Sequence, residues 1–475
     1  MTAGDPDLQD LQAVVLAHLP HATGVSGVTR LTGGASQELW RVDVTTSTGN
    51  VRLALRRVDP SADVGVGEAQ RLHLSTEAML IRRAAAVDVP VPDIVHVCNE
   101  ATDGLGEGYL MSWVDGETLG GRIAKSSGFE AVRPSLAFQC GELLARIHSI
   151  EVDPEITSRL QTFTADELIH RTWDRYRAYA VQQPMIDYAA RWLLDHSALS
   201  SPVLPRLVHG DFRNGNLAVS PTDGVVGVLD WELAHLGDPM RDLGWLCTNS
   251  WRFGNRDLPV GGFGIRADLF AGYESVSGVR VDPDRVKFWE VFGSFWWSIG
   301  CLTMADRWRQ GGETSPERLV IGRRSSECQL DLVLDTIPTP VQPEVAAEPT
   351  TESSNDMPSA DELLAGAAGF LLADIASDEG LGDRSRFLAR VAARSLDIVR
   401  RELAIGPATR EREHARLSAL LQRTGSLHEL RVLLVGGLRD GSIDISNPQL
   451  ADHLRATVVD QVRIDQPSYA AQANL

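Results

Sequence analysis

A short polar run near the middle of the chain has side chains suited to moving a phosphoryl group. The sequence HGDFRNGN occupies residues 209–216, between two apolar stretches typical of strands, and Asp230 ends the second stretch. A hydroxyl that attacks phosphorus needs a carboxylate to orient it and accept its proton, and Asp211 can do both. Asn216 and Asp230 offer the hard oxygen ligands that Mg²⁺ prefers. Each residue taken alone favours a polar surface turn, but their combined spacing, the flanking strands and the following Asp predict a phosphoryl-transfer loop.

Three motifs in this region resemble the aminoglycoside/choline-kinase-like phosphotransferases, which share the protein-kinase fold. They are HGDxxxxN at 209–216, VLDWE at 228–232 and GDPMRDL at 237–243, and the resemblance covers about residues 10–335. It implies ATP and Mg²⁺ as cofactors, with Asp211 as the base and Asn216 and Asp230 as metal ligands. His209 is expected to orient the loop through hydrogen bonds, because Asp211 fits the geometry of a base better.

The N-terminal third supplies the candidate ATP-binding residues. The resemblance places a phosphate-covering loop at Gly33, Gly34, Ala35 and Ser36, although two adjacent glycines are also common in simple turns. Arg56 stands where protein kinases have lysine, and arginine can still hold phosphates. Glu77 is its expected partner from a helix, the alternative being a solvated helix face. The predicted strand 109–114 would be the hinge near adenine, with Met111, Ser112 and Val114 as its candidate residues.

The phosphate acceptor is less well defined by the sequence. LTGGASQELWRV at 31–42 and YLMSWVDGETL at 109–119 look most like the branch associated with acyl-CoA dehydrogenases, which favours a hydroxyacyl-CoA or hydroxy acid. An anionic acceptor could be met by four arginines, namely Arg171, Arg175, Arg177 and Arg213. Two alternatives stay open: an aminoglycoside or choline-type kinase, and a nucleotide-binding pseudokinase that serves as a scaffold.

The pattern of elements predicts an α+β, bilobal protein-kinase-like domain in residues 1–335. A small β-rich N-lobe would span about 1–114 and a mainly helical C-lobe about 115–335. Residues 336–358 are rich in Pro, Thr, Ser and Glu, which predicts a flexible linker. Helical periodicity then predicts a separate all-α domain over 359–465, followed by a tail at 466–475. This domain resembles a small helical domain found beside such kinases, and we expect it to support interaction or a homodimer.

Composition excludes several other classes of protein. The 475 residues carry a formal net charge of -19, which argues against a general binder of nucleic acid or anionic membranes. The five cysteines are scattered, and neither a signal peptide nor an apolar run of membrane-spanning length is visible. We therefore expect a cytoplasmic enzyme with a small-molecule hydroxyl acceptor and, from the resemblance, an acyl-CoA dehydrogenase as a pathway partner.

Overall fold

The structure is a computed structural model that describes residues 6–31, 37–58, 72–99, 102–200, 204–311, 315–338 and 357–474. Gly33, Gly34, Ala35 and Ser36, the predicted phosphate-covering residues, lie outside the described residues, as does most of the predicted linker. The contacts divide the chain into two compact units. The first comprises residues 1–164 and 202–290, and the second comprises residues 165–201 and 291–475.

The first unit begins with an antiparallel sheet in the order β1-β2-β3-β5-β4. Its elements are α1 (Leu8–His18), β1 (Ala22–Leu31), β2 (Gln37–Thr46), β3 (Gly49–Val58), α2 (Leu74–Ala85), β4 (Ile94–Cys98) and β5 (Gly108–Ser112). Alternate residues of β2 are buried, namely Trp40, Val42 and Val44, and they pack with Leu11 and Val15 of α1. A period of two along the strand places one face of β2 in the core, and β2 pairs with β3 as an antiparallel hairpin.

Two short antiparallel strand pairs carry the polar run of residues 209–216. Strand β6 (Arg206–Val208) pairs with β9 (His235–Gly237), and β7 (Leu217–Ser220) pairs with β8 (Gly224–Val228). The run therefore connects β6 to β7, and Asp230 follows β8 by two residues. The helices of this unit are α3 (Gly120–Lys125), α4 (Arg133–Ser149), α5 (Pro154–Arg159), α8 (Met240–Cys247), α9 (Arg266–Ser277) and the start of α10 (Pro283–Arg309).

The second unit is helical. It contains α6 (Ala165–Arg177), α7 (Pro184–Asp195), the end of α10, α11 (Pro316–Arg323), α12 (Ser325–Thr336), α13 (Ala360–Phe370), α14 (Asp383–Leu421), α15 (Leu427–Asp440) and α16 (Pro448–Asp465). Helices α6 and α7 are separate, since Pro184 starts a new helix. Pro407 lies inside α14, which is 39 residues long.

Buried polar contacts join the helices of the second unit. Asp187 of α7 is fully buried and accepts hydrogen bonds from Trp173 Nε1 of α6 and Arg439 Nε of α15, both at 2.7 Å. Near the C-terminus, Tyr469 donates a hydrogen bond of 2.8 Å to Asp331 of α12.

In the described ranges, no helix combines the length and apolarity that a membrane span requires. The sequence predicted these regions of the fold: a β-rich N-terminal part, a helical part and a further helical C-terminal region.

Candidate active site

One buried carboxylate holds the backbone of the 209–216 loop. Asp242, in the first turns of α8, accepts hydrogen bonds from the backbone N–H groups of His209 at 2.8 Å and Gly210 at 2.9 Å. His148 of α4 donates a third hydrogen bond, at 3.1 Å. Burial alone would raise the pKa of Asp242, but the contact with His148 and nearby positive charge lower this pKa to about 2. The carboxylate therefore stays ionised and fixes the start of the loop.

Gly210 allows the loop to pass close to its neighbours. Its φ is +83°, and a Cβ atom built there would lie 2.3 Å from the carbonyl oxygen of Leu233. We therefore expect Gly210→Ala to lower the free energy of unfolding by roughly 2–4 kcal/mol. The cost of a positive φ in alanine adds to the steric overlap of its Cβ with the Leu233 oxygen. Gly278→Ala is the matched control, because Gly278 has a φ of +68° but open space around it. Urea unfolding of both variants tests this, and equal losses would contradict a role for the overlap.

His209 is buried and contacts the backbone of its own loop. Its side chain is fully buried, its ring centroid lies 4.7 Å from that of Trp231, and its Nδ1 accepts a 3.2 Å hydrogen bond from the N–H of Asp211. Burial lowers the pKa of His209, so the imidazole is neutral at neutral pH. A neutral ring whose Nδ1 accepts a hydrogen bond from the backbone can orient the loop, and this role for His209 stays a prediction.

The Asp211 carboxylate is oriented by three side-chain donors. Its Oδ1 accepts hydrogen bonds from Trp245 Nε1 at 2.8 Å and from Arg213 Nε at 2.9 Å. Its Oδ2 accepts from Asn216 Nδ2 at 2.6 Å, and the same amide donates to the Asp211 carbonyl oxygen at 3.0 Å. The Arg213 guanidinium in turn lies 4.3 Å from the ring centroid of Trp251. These contacts fix one rotamer of Asp211, as a positioned base requires.

Asn216 and Asp230 lie on neighbouring stretches of backbone. Because the Asn216 amide nitrogen donates to Asp211, its amide oxygen is left as the acceptor, and no described residue donates a hydrogen bond to it. The Asn216 carbonyl accepts from the N–H of Leu229 at 2.8 Å, which places the next residue, Asp230, near the loop. Asp230 has a φ of +63°, an uncommon conformation for a residue with a side chain.

Arg56 of β3 joins the sheet to the carboxylates after β8. Its NH2 group lies 2.7 Å from Asp230 Oδ1 and 3.3 Å from Glu232 Oε2. Burial alone would lower the pKa of Arg56, but Asp230 and the other carboxylates raise it above its ordinary value. The same ion pair holds the pKa of Asp230 below its ordinary value, although burial opposes this. The predicted phosphate-binding and metal-binding residues are thus in direct contact.

Glu77 of α2 is the helix partner that the sequence predicted for Arg56. Its Oε2 lies 3.4 Å from Arg56 Nε and accepts a 3.2 Å hydrogen bond from the Tyr109 hydroxyl. Burial raises the pKa of Glu77 to about 7, although Arg56 opposes this shift. Gln37 hydrogen-bonds both partners, accepting from Arg56 Nε and donating to Glu77 at 3.3 Å. The alternative of a solvated helix face is wrong for Glu77, since its side chain is fully buried.

The candidate hinge residues lie at the end of β5. Met111 pairs with Ala54 in the sheet, and the N–H of Ser112 donates to the carbonyl oxygen of Asp93 at 2.8 Å. The Ser112 N–H is therefore already engaged. Val114 follows the strand by two residues, so its backbone is the better candidate for contact with an adenine ring.

Arg213 and Arg177, which were predicted to meet an acceptor, contact acidic neighbours. Arg213 contacts Asp211, as described above. Arg177 pairs with Asp174 one turn earlier on α6 and lies 5.0 Å from the ring centroid of Trp173. Trp245 also orients Asp211, and the sequence analysis did not identify it. No sequence signal identifies it as a donor, because its contact with Asp211 depends on how α8 packs.

Comparison with known proteins assigns the chain to a family. The model of the Phosphotransferase enzyme family (APH) matches residues 27–279, just over half of the chain, and the chain belongs to this family. Residues 379–469 match the Domain of unknown function DUF6285. A solved structure of a protein named provisionally as an aminoglycoside phosphotransferase, from Ralstonia eutropha, has a TM-score of 0.54 and 23% identity. It covers 68% of this chain and 96% of its own, which confirms the protein-kinase-like fold.

Two curated relatives have informative names. The mouse "Acyl-CoA dehydrogenase family member 10" is 32% identical over 189 residues, which are 37% of this chain and 16% of the mouse protein. The "4-hydroxytryptamine kinase" of Psilocybe cyanescens is 23% identical over 263 residues, which are 50% of this chain and 71% of that protein. The chain therefore spans only about a sixth of the length of the mouse relative.

Proposed function

We propose that this protein is an ATP- and Mg²⁺-dependent kinase that transfers the γ-phosphoryl group to the hydroxyl of a hydroxyacyl-CoA or related hydroxy acid. The observation that carries the proposal is the Asp211 carboxylate, held by Trp245, Arg213 and Asn216 in the first unit. Such a carboxylate suits a hydroxyl acceptor, because the hydroxyl must be oriented and must lose its proton as the new bond to phosphorus forms.

The reaction that these residues support is a direct transfer. The acceptor hydroxyl donates a hydrogen bond to Asp211, its oxygen forms a bond to the γ-phosphorus, and the bond from that phosphorus to the β-γ bridging oxygen of ATP breaks. The hydroxyl proton passes to Asp211, and ADP leaves with the bridging oxygen. Positioning supplies most of the rate in such reactions, which agrees with the three donors that fix the carboxylate.

The phosphate side of the site would be formed by Arg56, Asn216 and Asp230. The amide oxygen of Asn216 and the carboxylate of Asp230 are hard donors that fit Mg²⁺, and Asn216 keeps its oxygen free by giving its nitrogen to Asp211. Mg²⁺ held there would offset negative charge on the phosphates. Arg56 is fixed by Glu77 and Gln37 and supplies a planar donor group for phosphate oxygens.

The acceptor class rests on the relatives. The mouse relative bears an acyl-CoA dehydrogenase name, which supports an acyl substrate and a dehydrogenase as a partner in the same pathway. The Psilocybe relative favours a second candidate, a kinase for a small amine with an aromatic hydroxyl. The DUF6285 region would support association with a second copy of the chain. A nucleotide-binding scaffold is the remaining candidate, and the ordered Asp211, Asn216 and Asp230 disfavour it.

Acceptor profiling separates these candidates. ADP release from Mg·ATP is measured with hydroxyacyl-CoAs, free hydroxy acids, hydroxylated aromatic amines, aminoglycosides and choline, and products are identified by mass spectrometry. We expect a phosphorylated hydroxyacyl-CoA or hydroxy acid. A phosphorylated amine or aminoglycoside would replace the acceptor but keep the mechanism. Tight Mg·ATP binding without transfer to any acceptor would contradict the kinase proposal and favour the scaffold.

A further inference from the structure

The NH2 group of Arg56 lies between two carboxylates that follow β8. It is 2.7 Å from Asp230 Oδ1 and 3.3 Å from Glu232 Oε2, and the Arg56 side chain is only 14% exposed. Two carboxylates this close to one point repel each other unless a cation lies between them. The Arg56 guanidinium is that cation in this structure. It therefore has the same electrostatic effect on the pair as a bound divalent cation would have.

The contacts of Arg56 put these carboxylates in competition with phosphate. Its Nε donates to Gln37 and lies 3.4 Å from Glu77, and its NH2 group contacts Asp230 and Glu232. An arginine binds phosphate in a bidentate way through two of its three guanidinium nitrogens. Any two of the three include Nε or NH2, so at least one contact seen here must be given up when phosphate binds.

The NH2 contacts are the ones that can be exchanged. The Glu77 side chain is fully buried, whereas the side chains of Asp230 and Glu232 are 30% and 22% exposed. Releasing Glu77 would leave a buried carboxylate without its cation, which is costly. Asp230 and Glu232 can be solvated or can bind another cation. A phosphate group that reaches Arg56 is therefore expected to replace these two carboxylates and leave the contact with Glu77 in place.

Asp230 is affected in the complementary way. A divalent cation on Asp230 beside an unmoved Arg56 would place two positive groups around one carboxylate, and their repulsion is only partly screened at a part-buried site. Negative phosphates between them offset both charges. Metal and nucleotide therefore favour each other's binding, and this coupling is reciprocal.

We propose that Arg56 keeps divalent cations from Asp230 until nucleotide binds, and that the phosphates then take over the NH2 group of Arg56 and free Asp230 for the metal. This inference rests on the proposed function, since it assigns an order of events to the same nucleotide site. It predicts a low affinity for divalent cations without nucleotide. Arg56 exchanges one set of negative partners for another, and no covalent bond changes.

Mn²⁺ without nucleotide is the probe, and electron paramagnetic resonance measures free Mn²⁺ in titrations of the full chain. Mn²⁺ suits the same oxygen ligands as Mg²⁺. Arg56→Met removes the charge and keeps an unbranched stem, and we expect it to lower the Kd for Mn²⁺ about tenfold or more. Arg52→Met is the matched control on β3, because Arg52 lies 2.7 Å from the exposed Asp115, and its Kd should equal that of the parent.

Further variants locate the gained affinity. Adding Asp230→Asn to Arg56→Met should abolish the gain, because the gain depends on this carboxylate. Arg56→Lys keeps the positive charge and should bind Mn²⁺ as weakly as the parent. If Arg56→Met does not fold, Arg56→Gln takes its place, since it also removes the charge but keeps a hydrogen-bond donor.

Equal Mn²⁺ affinity in the parent and in the uncharged Arg56 variant would overturn the inference. A gain that persists without the Asp230 carboxylate would overturn it as well. Neither result bears on phosphoryl transfer, which acceptor profiling tests separately. Failure to phosphorylate any acceptor would count against the kinase proposal and leave the Mn²⁺ affinities unchanged, so the two failures are distinguishable.

Discussion

Asp211→Asn is expected to lower kcat for phosphoryl transfer by about 10²- to 10⁴-fold, the usual contribution of a positioned general base. The amide oxygen can still accept hydrogen bonds from Trp245 and Arg213, which hold the side chain in place. The amide nitrogen cannot accept from Asn216, so the variant loses that one contact together with the ability to take the hydroxyl proton. The measurement is ADP release under saturating Mg·ATP, with the acceptor identified by profiling and the affinity for nucleotide determined separately.

The control for this prediction is Asp195→Asn. Asp195 is exposed at the end of α7, so removing its charge should leave kcat unchanged. Nucleotide affinity should be the same in the parent and in Asp211→Asn. If Asp211→Asn retained more than about a tenth of the parental kcat, Asp211 would not act as the base. Removing a general base is expected to lower kcat by much more than about tenfold.

Asp242→Asn should have the largest effect on stability. The side chain is fully buried and accepts from two backbone N–H groups and His148, so replacing one of its oxygens by a donor leaves at least one N–H unsatisfied. Removing one partner of a buried charged contact lowers the free energy of unfolding by about 3–5 kcal/mol. Urea unfolding, followed by the fluorescence of the buried tryptophans, measures the change in the free energy of unfolding.

The pH dependence gives this prediction a second readout. The folded pKa of Asp242 is lowered to about 2, below its ordinary value, so the stabilisation is complete above the unfolded pKa. It is lost as pH falls from about 4 toward 2, and the difference between the parent and Asp242→Asn should narrow over that window. Asp257→Asn, at an exposed position of the same unit, is the control and should show no such difference. A constant difference from pH 7 to pH 3 would show that the charge of Asp242 is not what stabilises the loop.

Local spacing predicted much of the candidate site. The D-x-x-x-x-N run and the following Asp belong to one strand-loop-strand segment, so their proximity follows from short connections alone. Arg56 and Glu77 were paired from the resemblance, and they lie 3.4 Å apart. The sequence could not reveal that Arg56 reaches across to Asp230, because that contact joins positions 174 residues apart.

The helical regions were harder to divide than the sheet. Alternation in β2 identified its buried face directly, whereas the aromatic residues of 165–198 continue through the break before Pro184. The Trp245 N–H donates to Asp211, and no spacing in the sequence indicates this contact. The periodicity of apolar residues indicates which face of a helix or strand is buried. It does not indicate which polar group a buried side chain will contact.

The proline in α14 has a consequence for how the C-terminal helices open in solution. Pro407 has no N–H to donate to the carbonyl oxygen of Leu403, so the hydrogen-bond ladder of this 39-residue helix is interrupted at one rung. Cooperative opening spreads along unbroken ladders, and an interrupted ladder allows each side to open by itself. Amide hydrogen exchange should therefore report two protection levels along α14, so that one half of the helix can unfold while the other remains packed.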